Sequence, residues 1–581
     1  MTPKQPDNEY ENEWEPCMQD GCNGVRVGVS GDCLAHVSET ARTKALRRFT
    51  DDGVMDARGV PIDARLLRTI LDAAPRDPDE PQLPFLPAVR FDHARFGDGV
   101  DFAAARFGDH TQFTWARFGN RVKLYEARFG HDVRFNGACF GEDVDFRVAR
   151  FGNQASFEGA QFGPGLRLWG ASFGHGAQFT RARFGDSVRM SATFEDAADF
   201  GESEFGRWAR LYFIARGIVR LKQATFAQGL ELGISSGRLD LTEATFTDGG
   251  VLQIRWADVV IDRAGFHRPT VLSMWATPPP GASGSTSDEA VGQACQPSRA
   301  SPRPRLTSVH DCDLQNLTVS DTDLRACRFA RAHNLDGLRL QGTIDLPDTP
   351  AWQRGLAFLP FLVWRWTRRQ TLADEHVWRS TTRKGAGWLP PTSQIDVIYQ
   401  HDSDSLAPTD IAKVYRALRK GREDSRDEPG AADFYYGEME MRRQAAPRRS
   451  FERLLLGLYW LVSGYGLRAS RTLGALLVVV VAAGLMFAGP GFQHSDTPRC
   501  AIVGASTAGT PVYRCKQDPQ PTYRTQLPAA LAYSAESTTS LLHGPDRPLT
   551  AVGEWTQVIE RLLGPLLFGL TVLSLRGRVK R

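Results

Sequence analysis

Charge of one sign is missing from this chain: 70 lysines and arginines stand against 67 aspartates and glutamates, a net charge of +3 over 581 residues. No nucleic-acid partner is therefore expected, because phosphate backbones demand a strongly basic surface. Lysine itself is scarce, nine of the 70 basic residues, and that arginine bias points to a GC-rich genome such as an actinobacterium's. Cysteine is sparse as well. Nine cysteines without a dense framework do not make a disulfide scaffold, so the bulk of the chain is expected in a reducing compartment. The polar, acidic start Met1–Glu15 has no apolar core of a signal peptide. A GxGxxG after a strand, a CxxC pair and a haem-attachment motif are also absent.

What the chain has is a period. Phe96, Phe107, Phe118, Phe129, Phe140, Phe151, Phe162, Phe173 and Phe184 recur every eleven residues, with an alanine two residues before each, from Ala94 to Ala182. A second series from Phe91 to Met190 has the same period, with Leu124 and Leu168 among its phenylalanines. Large apolar residues alternately five and six apart fit neither a helix nor a half-buried strand. They fit a chain that turns a corner about every five residues and sends one large side chain inward from each short face, stacking coil on coil. Later the spacing becomes twenty, at Leu221, Leu241 and Ile261 and again at Phe226, Phe246 and Phe266. Twenty residues make one coil of four faces, and twenty-two the same coil with one extra residue per pair of faces. About eight coils at about 4.8 Å each predict a rod about 40 Å long. This unit resembles the pentapeptide-repeat family, which implies a mainly β fold, a right-handed quadrilateral β-helix.

Ahead of the repeats, Cys17, Cys22, Cys33 and His36 are spaced Cys-x4-Cys-x10-Cys-x2-His. Three thiolates and an imidazole suit a closed, structural zinc site and leave no open position for catalysis. Ala41 to Leu46 and Ala64 to Leu71 carry helical patterning and are expected to cap the rod, with a proline-rich linker from Pro75 to Pro87. Within the coils, Arg106, Arg128 and Arg150 lie twenty-two apart and should stack as a ladder. Residues 91–275 hold 22 acidic and 22 basic residues, the composition of a solvated mixed-charge face. Residues 276–305, rich in Pro, Gly and Ser, are expected to be a disordered insertion. The repeats then return at Leu314, Val319, Leu324 and Phe329, with Cys312, Thr322 and Cys327 as packed small residues.

Beyond the rod, Trp364 to Trp378 reads as a charged helix, after an apolar run from Leu356 to Trp364 that is too short to span a bilayer. Residues 409–443 read as two helices broken at Pro429-Gly430, with Asp410 as N-cap. Asp433, Glu438, Glu440 and His376 are the available acid–base groups, but helical pairs carry such charges routinely, and packing is the expected role. The runs Y-R-x-L-R-K at 415–420, A-A-D-F-Y-Y-G-E-M-E-M-R-R at 431–443, Y-W-L-V-S-G-Y-G-L-R at 459–468 and L-R-G-R-V-K-R at 575–581 resemble actinobacterial membrane-bound pentapeptide-repeat proteins. Some members of that family carry a membrane-associated oxidoreductase label, so the resemblance brings that activity as an alternative.

Leu473 to Gly489 is seventeen residues without a charge, and a helix from Thr556 to Arg576 reaches about 30 Å, so two transmembrane helices are expected. Basic residues crowd one side of each: Arg442, Arg443, Arg448, Arg449, Arg453, Arg468 and Arg471, then Arg576, Arg578, Lys580 and Arg581. The positive-inside rule puts the rod and the C-terminus in the cytoplasm of a bacterial cell. Residues 490–555 would then lie outside, where Cys500 and Cys515 meet oxidising conditions and are expected to pair. A two-helix channel has a similar layout, with 525–543 where a pore helix would sit. Thr539-Ser-Leu-Leu-His-Gly544, however, replaces the filter such a pore needs.

The expected order is thus 1–40 metal-binding segment, 41–90 helical cap and linker, 91–275 β-helix, 276–305 insertion and 306–346 final coils. Then come 347–453 helical region, 454–489 interfacial helix and first span, 490–555 outer loop, and 556–581 second span and basic tail. The expected function is a non-enzymatic scaffold anchored in a lipid membrane, its rod turned to a protein partner. A two-helix channel is the rival and would require a homo-oligomer.

Overall fold

A phenylalanine at every eleventh position, each followed by glycine, leaves little choice of architecture, and the computed structural model shows the result. It describes residues 14–28, 31–78, 80–277, 287–295, 301–350, 368–382, 388, 406–493, 499–505, 511–516, 523–539 and 547–579. The chain divides into two units, Met1–Ala407 with Arg416–Asp427, and Pro408–Tyr415 with Glu428–Arg581.

The first unit is built on a parallel β-solenoid. Three parallel sheets of 12, 10 and 6 strands run along it, most strands only two residues long. Single parallel bridges Asp101↔Lys123, Lys123↔Asp145 and Asp145↔Arg167 mark the fourth face of the early coils. The Phe ladders fill the interior. Phe113, Phe135, Phe157 and Phe179 stack face to face at 4.6, 4.8 and 4.9 Å, and the alanines beside them are buried. The glycine after each phenylalanine exists because the coils meet there: a Cβ on Gly152 would stand 2.7 Å from the backbone carbon of Gly130 in the coil before.

The stack is longer than the eight coils expected, for its longest sheet has 12 strands. It begins at Pro61–Ile62 and Phe85–Leu86, inside the segment read as cap and linker, and ends at Arg339–Gln341. Those outer coils lack the phenylalanine period that made the middle visible. Helices α1 (Glu39–Asp52) and α2 (Ala64–Ala73) lie among the first coils, with Ser38 and Asp63 as side-chain N-caps.

The coil length falls from twenty-two to twenty along the solenoid as left-handed corners become fewer. Register partners are 22 residues apart at Phe129 and Phe151, 21 at Phe205 and Phe226, and 20 at Phe226 and Phe246. In the long coils every corner carries a left-handed residue, as at Trp115, Arg121, Glu126 and Asp132. In the coils that follow fewer corners do, as at Glu202 and Trp208, and the chain elsewhere runs straight through as strands such as Arg210–Ala215.

Side chains lace the corners together. Asn120 N–H donates to Asp98 Oδ1 and Glu142 N–H to Asn120 Oδ1, both at 2.8 Å. In a parallel row Asn153 N–H donates to His131 Nδ1 and His175 N–H to Asn153 Oδ1, both at 2.9 Å, so His131 holds its proton on Nε2. One corner residue is ill suited to its place. Val148 is β-branched at φ 59° and 39% exposed, whereas the equivalent residue one coil on is Gly170, at φ 74°. Val148→Gly relieves a left-handed cost of about 1–2 kcal/mol and adds about 0.5–1 kcal/mol of unfolded-state entropy. A small rise in the urea midpoint is expected, and a fall would contradict the strain.

The segment read as a disordered insertion contains a helix. α3 (Asp288–Cys295) follows residues 278–286, which lie outside the described residues, and Val291 is fully buried. Polar anchors hold α3 where composition alone gave no core. Asp288 accepts from Arg255 Nε at 2.8 Å and from Ser235 Oγ at 2.6 Å, and Gly292 sits against Trp256. Asp288→Ala should loosen α3 by about 1.5–3 kcal/mol, the worth of a charged hydrogen bond. Faster amide exchange confined to 288–295 would report it.

The last coils are closed by α4 (Ala373–Thr382), which starts later than the Trp364 expected; residues 351–367 lie outside the described residues. Phe329 N–H donates to the buried Asp374 at 2.9 Å. Glu375, fully buried, takes Arg369 and Arg379 on either side at 2.7 Å.

The second unit is helical: the start of α5 (Pro408–Asp424), then α6 (Glu428–Ala445), α7 (Phe451–Ser463), α8 (Ala469–Met486), α9 (Tyr523–Thr539) and α10 (Ala551–Val579). The N-cap of α5 is Ala407 rather than Asp410, because Pro408 takes the first helical position, where its missing N–H costs nothing. The break between α5 and α6 falls at 425–427, and Pro429 lies in the first turn of α6 for the same reason. Between α8 and α9 an antiparallel hairpin pairs Arg499–Ala505 with Pro511–Lys516.

Candidate functional sites

Cys17, Cys22, Cys33 and His36 come together: their ligand atoms lie within 4.8 Å of one another. Three of the six separations match those of a tetrahedron. Zn–S bonds of about 2.3 Å and Zn–N bonds of about 2.0–2.1 Å require S···S of about 3.8 Å and S···N of about 3.6 Å. Cys22 and Cys33 sulfurs are 3.7 Å apart, and His36 Nδ1 is 3.4 Å from Cys17 Sγ and 3.5 Å from Cys33 Sγ. Backbone N–H groups point at the sulfurs, Cys33 N at Cys17 Sγ (3.2 Å) and Gly24 N at Cys22 Sγ (3.5 Å), the outer support that thiolate sites use. A side chain at Gly24 would strike Cys33 Sγ at 2.9 Å. Without metal, burial pushes the Cys33 thiol up to about 12. Burial also opposes ionisation of Cys17, but hydrogen bonds from the Gln19 backbone, His36 and Cys33 outweigh it and bring Cys17 down to about 7.

The four ligands are tied to the end of the solenoid. Val25 N–H donates to Arg58 O at 2.8 Å, Gly59 N–H to Asp92 O at 2.8 Å, and Arg58 stacks on Trp14 at 4.9 Å. Trp14 in turn meets His93 of the first regular coil. The cluster thus sits at the end of the solenoid, and its four groups would suffice for a tetrahedral ion.

The arginine ladder also forms, with Arg106, Arg128 and Arg150 in register. It is not a free anion stripe. Arg106 is bound by Asp77 at 2.6 Å and Arg128 by Glu80 at 2.7 Å, partners from the proline-rich stretch that the even spacing gave no reason to expect. Cys312 and Cys327 are buried and free, as their small-residue positions required.

The acid–base candidates have structural partners. His376 Nε2 meets Thr371 Oγ1 at 2.9 Å and its ring packs edge-on to Trp388. Glu440 accepts from Arg443 at 2.8 Å and from Tyr465 O–H at 3.1 Å, while Trp460 Nε1–H donates to Tyr436 at 2.9 Å. These are the charged and aromatic residues of the 431–443 and 459–468 runs, and they lock α6 to α7. Asp433 and Glu438 lie on the same helix, α6.

Among the described residues, two helices are long and apolar enough to cross a membrane, over Ala469–Gly491 and Ala551–Ser574, and only 28% and 22% of their apolar windows are buried. α7 adds an exposed apolar face of Phe451, Leu454, Leu455, Leu458 and Leu461. α9 packs against both long helices: the absent Cβ of Gly484 would sit 2.6 Å from Leu531, and that of Gly564 2.7 Å from Thr538. Cys500 and Cys515 are directly opposed partners in the hairpin. Sequence reading missed the polar meeting of Glu560 with Ser534 and Thr538 in this unit. The one available signal was the charged pair Glu560 and Arg561 at the start of an apolar run.

The family model for pentapeptide repeats (9 copies) matches residues 91–138, 124–172 and 135–183, the phenylalanine-rich coils. No curated protein matches the chain.

Proposed function

We propose that this protein is a membrane-anchored scaffold whose pentapeptide-repeat solenoid offers a rigid surface to a protein partner at the cytoplasmic face of a bacterial membrane. The observation that carries the reading is the pair of long apolar helices, α8 and α10, which leave most of their surface without protein cover. Soluble proteins do not leave such helices bare. The arginines before α8 and the basic tail after α10 put both of those ends on the cytoplasmic side. On this topology the Cys17, Cys22, Cys33 and His36 cluster faces a reducing compartment and holds structural zinc. Residues 490–555 lie outside, where the opposed Cys500 and Cys515 form a disulfide. The ion pairs on the arginine ladder argue for a protein partner over nucleic acid.

Carbonate extraction of cell membranes and maleimide labelling of single cysteines added at each end and in the 506–510 loop test this. Both ends should be shielded in intact cells and the loop should react. Release by carbonate would end the anchoring reading. One observation favours a second reading: α9 lies against both long helices, as a pore helix does. Most of the filter-like segment, 540–544, lies outside the described residues. A tetramer in native mass spectrometry would favour the channel, whereas a monomer or dimer has no axis for a pore.

A further inference from the structure

Glu560 lies nine residues into α10, about 13 Å along the helix from Ala551, and is 1% exposed. A carboxylate there needs a neutralising partner. Among the described residues, the polar groups acting on it are Ser534, Ser537 and Thr538 of α9, all buried; Glu536 of the same helix is exposed. No described ion pair joins its chain neighbour Arg561 to it.

The hydroxyls are short of protons. Ser534 Oγ reaches Val480 O of α8 at 2.9 Å and also Glu560 Oε1. Thr538 Oγ1 lies 2.8 Å from Ser534 O and 2.8 Å from Glu560 Oε1. Each hydroxyl has one hydrogen to give. Two hydrogens therefore face four acceptor contacts, and among the described residues Glu560 Oε2 is buried beside them with no hydrogen-bond partner, while the buried Ser537 brings one more hydroxyl to the carboxylate. Oxygens gathered with too few hydrogens between them form the surroundings of a hard cation, and one carboxylate balances one charge.

We propose that Glu560, Ser534, Ser537 and Thr538 bind a dehydrated monovalent cation of sodium size, in competition with a proton. This goes beyond the scaffold reading and rests on the packing of α8, α9 and α10 alone. Membrane extraction by carbonate would refute the anchoring and leave this site standing.

The test uses the full-length protein in detergent and dicyclohexylcarbodiimide, which adds to protonated carboxyls in apolar surroundings. Mass spectrometry should find the adduct on Glu560 in choline chloride. Sodium chloride at equal ionic strength should slow its formation about tenfold, the effect of a ligand at about ten times its dissociation constant. Glu560→Gln should take no label, and Ser537→Ala should be labelled with weaker sodium protection. Equal rates in lithium, sodium, potassium and choline salts would overturn the site and leave a neutral buried acid. If the reagent cannot reach Glu560, melting decides: sodium must raise the Tm of the wild type and not that of Glu560→Gln, and equal shifts overturn the proposal.

Discussion

Full-length protein purified without chelator carries one zinc ion per chain, and Cys33→Ser carries none. That is the expected result with the largest energetic consequence, because structural zinc sites in small domains contribute about 10–16 kcal/mol of apparent binding energy at neutral pH. Cys33 is the ligand to remove: it is fully buried, its sulfur is 3.7 Å from Cys22 and 3.5 Å from His36, and its N–H supports Cys17. The loss should be local. In a solenoid each coil touches only its neighbours, so residues 14–37 and the first coils should gain amide exchange and protease sensitivity while the Phe ladders stay protected. Zinc uptake should strengthen as pH rises, since the buried Cys33 thiol must give up its proton to bind. Cys139→Ser, altering a free thiol outside the cluster, should change neither metal content nor exchange. A metal-free wild type with the same protection at 14–37 would remove zinc from the account.

How much of this was legible in the sequence depends on how local the cause is. The central coils were readable because each needs its own phenylalanine, alanine and glycine, and the requirement repeats at a fixed interval. The meeting of Cys17, Cys22, Cys33 and His36 was readable because Cys33 and His36 are close in the chain and this set of residue types is the one that serves zinc. The outer coils were not, since Pro61–Ile62 and Phe85–Leu86 join the stack through backbone pairing that asks little of side chains. α3 was hidden for the opposite reason: Asp288 lies 33 residues from Arg255 and 53 from Ser235, and nothing in a Pro- and Ser-rich composition foretells that they meet. The site at Glu560 is of this second kind. It needs α8, α9 and α10 at once, and hydrophobic patterning reports only that two of them are apolar.

Phe135→Ala should cost about 3–5 kcal/mol, the range for emptying a buried aromatic site. Phe135 is fully buried in the middle of a ladder, stacked on Phe113 at 4.6 Å and Phe157 at 4.8 Å, with the edge of Phe129 at 5.5 Å. Collapse cannot refill the gap, because the coil separation is set by backbone hydrogen bonds such as Phe135 N–H to Ser156 O at 2.7 Å. The cavity therefore stays, and with it the loss of both stacking partners. Phe135→Leu should cost clearly less. Leucine already holds the corresponding place in the same series at Leu124 and Leu168, both buried, so the coil accepts its shape. Because the cost falls between neighbours, the variant should weaken the junction of the coils on either side, and urea unfolding should lose cooperativity as well as midpoint. Exchange should rise first around residues 113–157 and spread outward. An unchanged, single sharp transition in Phe135→Ala would mean that the stacked rings only fill space, and that the backbone ladders alone hold the solenoid.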